Sequence, residues 1–254
     1  MIIDAHCHAG PGDGLSGPWN TRAPLRDHLR RAARAGISRT VLFAALHTDY
    51  AQANREVARL VTARPDLFYG FAFVHARRDA GRIDEMVGRA VRDWGFCGIK
   101  LHGHDAQATR EVAEAARRYS VPLLWDVVGQ VELAGLLASE YPRVNLIVPH
   151  LGSFADDWRA HQATIDLMVR LPNVHTDSSG VKRFDYLVQL VRRVGPERLL
   201  FGSDGPWLHP GLELAKIRAL GLPAQAEAAV LGGNFLRLTA GARRPTERKR
   251  EAVA

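Results

Sequence analysis

The chain has 254 residues, with 34 Lys and Arg against 27 Asp and Glu, a formal charge of +7, and 46% hydrophobic residues. That balance suits an ordinary globular chain with a sizeable buried core, and the length fits one large α/β domain or two small ones. No apolar run reaches the roughly 18 residues of a membrane span, no basic-then-apolar leader precedes the first strand, and two cysteines, Cys7 and Cys97, make neither a disulfide framework nor a paired-cysteine zinc motif.

Apolar, β-branched runs alternate with helical patterns from the first residues onward, which is the signature of a parallel sheet built from βα units. Strands are expected near 2–6, 38–44, 68–74, 96–101, 121–126, 144–149, 173–177 and 198–203. Among the intervening helices, Ala106–Tyr119 sets Val112 and Ala116 on one spacing, with Arg110, Glu114 and Arg117 turned away. Phe184–Val194 likewise turns Leu187, Val188 and Val191 inward. Gly36, Gly95 and Gly195 fall just past helices, where a left-handed residue commonly ends them. Pro122 and Pro172 stand at or just before strand starts, where a missing N–H costs least. Two more helices are expected near 211–220 and 224–240.

No linker or repeat interrupts residues 1–240, so a single domain is expected there, followed by a basic tail at 241–254. Arg243, Arg244, Arg248, Lys249 and Arg250 against Glu247 and Glu251 give that tail a local charge of +3. A solvated terminus is the reading adopted, without a nucleic-acid or membrane partner. The scarcity of cysteine makes a reduced, cytoplasmic setting the expectation.

Reactive side chains gather at strand ends. Strand one finishes in Asp4-Ala5-His6-Cys7-His8, and strands two and three are followed by His47 and His75. Strand four finishes in Lys100-Leu101-His102, strand five in Asp126 and strand six in His150. Strand seven finishes in Thr176-Asp177-Ser178 and strand eight in Asp204. A closed barrel brings eight C-terminal strand ends to one mouth, whereas an open sheet scatters them along an edge. The expected fold is therefore α/β, a (β/α)₈ TIM barrel.

His6 and His8 are one residue apart on a strand and point to the same face, while Cys7 points into the wall. Asp126 and Asp204 each end a hydrophobic strand, a costly place for a carboxylate unless it is paired or metal-bound; the other reading for each is a helix N-cap. Two imidazoles and two carboxylates balance one divalent cation, with Zn²⁺ as first choice and Mn²⁺ or Fe²⁺ behind it.

Met1–His8, Gly98-Ile99-Lys100-Leu101-His102, Pro149-His150-Leu151-Gly152, Asp177-Ser178-Ser179-Gly180, Phe201–Trp207 and Gly232-Gly233-Asn234 together resemble the amidohydrolase-related barrel family. The resemblance runs in order from residue 1 to about 240. It implies that His6, His8 and Asp204 are metal ligands and that His150 is the catalytic histidine. The family usually has a histidine where this chain has Asp126, and one lactonase branch works without metal. Some relatives bridge two metals through a carbamylated strand-four lysine; for Lys100 a structural role or contact with a substrate anion is the preferred reading. His102 is either a pocket or supporting residue, or a structural histidine.

The expected activity is metal-dependent hydrolysis of a small, anionic cyclic or aromatic amide, lactone or ester. The metal generates hydroxide from bound water, Asp204 takes the proton and His150 polarises the carbonyl. Arg22, Lys182 and Arg183 are candidate clamps for a substrate carboxylate, each with a solvated surface role as its rival, and Trp207 joins the substrate-contacting set. A metal-dependent decarboxylase of a small aromatic or unsaturated acid uses the same groups and is the alternative. A non-catalytic binding barrel is the third reading. The expected partner is a small-molecule substrate, with a homodimer as the commonest assembly for such a chain.

Overall fold

The strands carry the side chains of interest, and their order decides where those side chains meet. In the computed structural model, residues 1–13, 23–154 and 156–242 are described. Its strands are β1 (Ile3–Ala9), β2 (Arg39–Ala44), β3 (Phe68–Gly70), β4 (Ala72–Phe73), β5 (Ile99–His102), β6 (Leu123–Asp126), β7 (Leu146–Val148), β8 (Val174–Asp177) and β9 (Leu199–Leu200). Every pairing is parallel and runs in chain order, β1-β2-β3 and then β4 through β9.

The third expected strand is divided at Phe71, whose N–H donates to Leu42 O at 2.9 Å. Its first half pairs with β2 and its second half with β5, so one segment joins the two sheets. At the other seam Ala5 N donates to Phe201 O at 2.9 Å, His8 N donates to Gly205 O at 2.7 Å, and Cys7 bridges Gly205 in parallel. The order therefore returns to β1, giving a single-domain (β/α)₈ barrel.

The helices are α1 (Leu25–Arg34), α2 (Tyr50–Ala63), α3 (Ile83–Trp94), α4 (Arg110–Tyr119), α5 (Val131–Glu140), α6 (Trp158–Arg170), α7 (Phe184–Arg193), α8 (Pro210–Ala219), α9 (Ala224–Ala228) and α10 (Asn234–Thr239). Asp49 and Asp157 cap α2 and α6 by accepting Gln52 N and Arg159 N, satisfying donors that a helix start leaves open. Gly95 ends α3 at φ 69°, the expected left-handed stop. Gly195 differs: with φ 97° and ψ 160° it leads α7 straight into the Pro196 turn. The helix expected across 224–240 is broken between α9 and α10 by a wider turn over Ala229–Gly233.

Parallel strands are covered on both faces, and here they are buried throughout from β2's second residue to β9. Phe71 packs where a Cβ on Gly98 would sit 2.4 Å from its ring, and Phe96 does the same to Gly70. Each such ring contributes about 1.5–3 kcal/mol through its removal from water. Among the described residues no helix is long and apolar enough to cross a membrane.

Candidate active site

β1 delivers two imidazoles to the mouth. His6 Nδ1 lies 2.7 Å from Asp177 Oδ2, and His8 Nδ1 lies 2.9 Å from Ala44 O. A carboxylate and a carbonyl only accept, so both histidines carry their proton on Nδ1 and turn a bare Nε2 inward. Those Nε2 atoms lie 3.4 Å and 3.7 Å from Asp204 Oδ1, and the Nε2 of His6 has no hydrogen-bond partner. Among the described residues His6, His8 and Asp204 form the one group of three metal-capable side chains, with ligand atoms within 4.8 Å of one another. Burial, helped by the charges of Lys100 and His6, pushes the His8 pKa well down, which keeps it in the neutral form that binds metal. Two buried imidazoles with bare nitrogens facing a carboxylate fit a divalent metal ion.

Asp177, at the end of β8, ties this centre to His150. Its carboxylate accepts His6 Nδ1–H, the backbone N–H of Ser179 and of His150, and the Ser179 hydroxyl. Burial alone would raise its pKa, but His6, His150 and these hydrogen bonds outweigh burial and hold it below the usual carboxylate range. His150 Nδ1 lies 2.7 Å from Ser179 O, so it too is protonated there, and its Nε2 looks toward Asp126 Oδ2 at 3.7 Å. Its ring stands 4.9 Å from that of His6. His150 and Asp204 both have positive φ, 57° and 54°, an uncommon conformation for residues with side chains and one that concentrates at functional sites.

Asp126 stands outside the group of three. Its Oδ1 accepts Val128 N at 2.9 Å, and its Oδ2 lies 3.3 Å from His102 Nε2. His102 Nδ1 accepts His104 N, so its proton is on Nε2 and faces Asp126. Burial pushes His102 down to about 3. Burial also opposes ionisation of Asp126, yet His102, His150 and Lys100 overcome it and keep the carboxylate charged. Lys100 is fully buried on β5, with Nζ 5.0 Å from the centre of the Phe43 ring.

These groups line a cavity of about 400 Å³, within the range of small-molecule sites, with Leu46, Val128, Phe154 and Trp207 as apolar walls. Trp207 packs 4.7 Å from the His8 ring. The expected substrate-contacting set is thus partly assembled: Lys100, His102 and Trp207 line the cavity, whereas Lys182 and Arg183 do not. Arg183 is ion-paired with Asp185 two residues along, on the exposed start of α7, and Lys182 is exposed beside it. A local carboxylate holds the guanidinium, the surface placement that stood as the rival of a substrate clamp. Arg22 and the tail from 243 lie outside the described residues.

Asp177, Ser179 and Phe154 are site residues that were not singled out. Asp177 and Ser179 fall within a quoted motif at a strand end, so a signal was present. What it lacked was the partner, because His6 lies 171 residues away.

Residues 3–238 match the amidohydrolase family, and the chain belongs to it. A curated relative is the gamma-resorcylate decarboxylase of Rhizobium sp. (strain MTP-10005), 23% identical over 61% of this chain. The alignment covers 65% of that enzyme, just under two thirds of its length. Among solved structures, the 5-carboxyvanillate decarboxylase of Sphingomonas paucimobilis superposes with a TM-score of 0.73 at 16% identity, covering 94% of this chain and 99% of that one. The dihydroxybenzoic acid decarboxylase of Polaromonas sp. JS666, with bound manganese and 2-nitroresorcinol, gives 0.72 at 17%, covering 95% and 97%. At such identities the likeness establishes the shared barrel.

Proposed function

We propose that this chain is a metal-dependent, non-oxidative decarboxylase of a small aromatic or unsaturated carboxylic acid. The observation that carries the reading is the pair of bare, buried Nε2 atoms of His6 and His8 facing Asp204, with His150 beside them in an apolar-walled cavity. The relatives with a printed activity support decarboxylation over the hydrolysis expected from sequence. Manganese, present in two of the solved relatives, is the preferred ion; the donor set accepts zinc as well. A divalent ion held by His6, His8 and Asp204 would supply Lewis acidity toward the substrate's carboxylate and a neighbouring oxygen.

The chain's own residues supply the rest. With Nδ1–H fixed on Ser179 O, His150 exposes only Nε2 to the cavity, 3.7 Å from Asp126 Oδ2, and a proton carried on that nitrogen is the one to be delivered. His150 gives that proton to the ring carbon bearing the carboxylate. The C–C bond then breaks, its electron pair stays with the carbon, CO₂ leaves, and His150 recovers a proton from water. Leu46, Val128, Phe154 and Trp207 give the reacting carbon an apolar surrounding.

The test incubates manganese- and zinc-loaded protein with 2,6-dihydroxybenzoate, 5-carboxyvanillate and a panel of lactones and aryl amides. Released CO₂ and the matching arene are expected, with a fall of about 10²–10⁴-fold in His150→Asn at unchanged metal content. Lactone or amide cleavage without CO₂ would restore the hydrolytic reading.

A further inference from the structure

His161 does not line the cavity, yet its imidazole is completely buried and takes no part in the proposed reaction. It comes from the start of α6, which Asp157 caps by accepting Arg159 N and Ala160 N. Its Nδ1 lies 3.1 Å from Leu151 O, and a carbonyl only accepts, so the ring carries its proton there. Its Nε2 has no hydrogen-bond partner among the described residues and faces Asp156 Oδ1 at 3.8 Å. A buried polar ring with one nitrogen unpaired is a costly filling where an apolar side chain would pack without that penalty. Packing alone does not account for a histidine here.

Its acceptor does. Leu151 follows His150, and the two share the left-handed conformation, φ 57° and ψ 24° and then φ 52° and ψ 35°, with Gly152 continuing at φ 93°. Two consecutive residues with side chains persist in that region only where their surroundings over-determine them. On the β8 side, Asp177 Oδ1 accepts His150 N at 3.3 Å and Thr176 Oγ1 accepts Leu151 N at 3.2 Å. Ser153 N donates to His150 O at 3.2 Å, and Gly129 N donates to Gly152 O at 2.8 Å. His161 supplies the donor for the carbonyl between them, that of the fully buried Leu151. Three residues along α6, Thr164 closes the same contact: a Cβ on Gly152 would stand 2.3 Å from its Oγ1. The turn is thus gripped between β8 and α6, and its geometry decides where His150 Nε2 points.

We infer that His161 is a positioning residue for His150: its donated hydrogen bond holds the left-handed turn that aims His150 Nε2 into the cavity. The kinetic consequence rests on the proposed role of His150 in decarboxylation; the structural one rests on the turn alone.

Two variants separate donor from filler. His161→Asn places an amide N–H where Nδ1–H stood, whereas His161→Leu fills the space and donates nothing. With the manganese-loaded chain and 2,6-dihydroxybenzoate, kcat is expected to fall about 10–100-fold in the Leu variant, with KM and bound metal unchanged. The Asn variant is expected to recover most of that loss. In the zinc-loaded chain, hydrogen exchange at Leu151 N–H is expected to quicken about tenfold in the Leu variant and to slow again in the Asn variant, while the amides of β2 keep their protection. His161→Gln, whose amide takes the place of Nε2, replaces the Leu variant if that one fails to fold. In an active enzyme, a Leu variant with either kcat or Leu151 exchange unaltered overturns the inference, as does a loss that the Asn variant fails to restore. A wild type that releases no CO₂ strikes the decarboxylase reading alone, and exchange at Leu151 then decides the role of His161 by itself.

Discussion

Asp177 never touches the cavity, yet it sets the tautomer of His6 and anchors the backbone that holds His150. A carboxylate in that position raises the basicity of the imidazole and locks its rotation, and loss of such a partner typically costs 10–100-fold in metal affinity. Asp177→Asn is therefore expected to weaken manganese binding by about that factor, read by competition with a chelator. An unaltered affinity would reduce the pair to a packing contact. His6, His8, His150 and Asp204 were legible because period-two alternation and strand-end position are local properties. Between the two readings open for Arg183, clamp or solvated surface, strand-end position could not choose, because its exposed ion pair with Asp185 depends on side-chain orientation. Asp126 illustrates the remaining gap, since its place at a strand end was visible but its orientation toward His102 and Val128 N was not.

Strands β1 and β9 cooperate at the seam where two of the three candidate ligands meet the third. Asp4 accepts Ser203 N at 2.8 Å and also His6 N at 3.2 Å, beside the register shift in β1 between Asp4 and Cys7. Gly202 lies against His6 there: a Cβ at that residue would stand 2.9 Å from His6 Cβ and 3.2 Å from Asp177 Cγ. Gly202→Ala should push β1 outward, costing about 1–3 kcal/mol in denaturant unfolding. It should also lower the bound metal measured by elemental analysis. Full metal content with unchanged stability would show that the seam yields freely. The eight-beat strand pattern was legible, while the split at Phe71 and the broken helix after residue 228 were not. Both arise from packing against distant segments: Phe71 N bonds Leu42 O, and Gly232 lies under Ile3.

Across the whole molecule, buried neutral histidines govern acid stability. His175 on β8 lies outside the cavity, and burial, reinforced by Arg237 and Arg198, lowers its pKa from 6.5 to about 3. Between those values the unfolded chain takes up a proton that the folded chain refuses, so stability is complete above about pH 6.5 and falls as pH drops toward 3. His175→Gln should flatten that slope, with an effect on the order of a few kcal/mol at the acid end, measured by urea titrations at several pH values. A slope identical to that of wild type would place the acid sensitivity elsewhere.

The Asp4–Ser203 contact joins residues 199 positions apart, and the candidate ligands are divided between the same two ends of the chain. A ribosome therefore releases His6 and His8 long before Asp204 exists to complete the set. The emerging polypeptide can offer an ion only a loose two-point grip until its final strand docks. An ion held by all three would then link the first strand of the barrel to the last, so metal supply during synthesis should govern how quickly newly made chains become resistant to proteases.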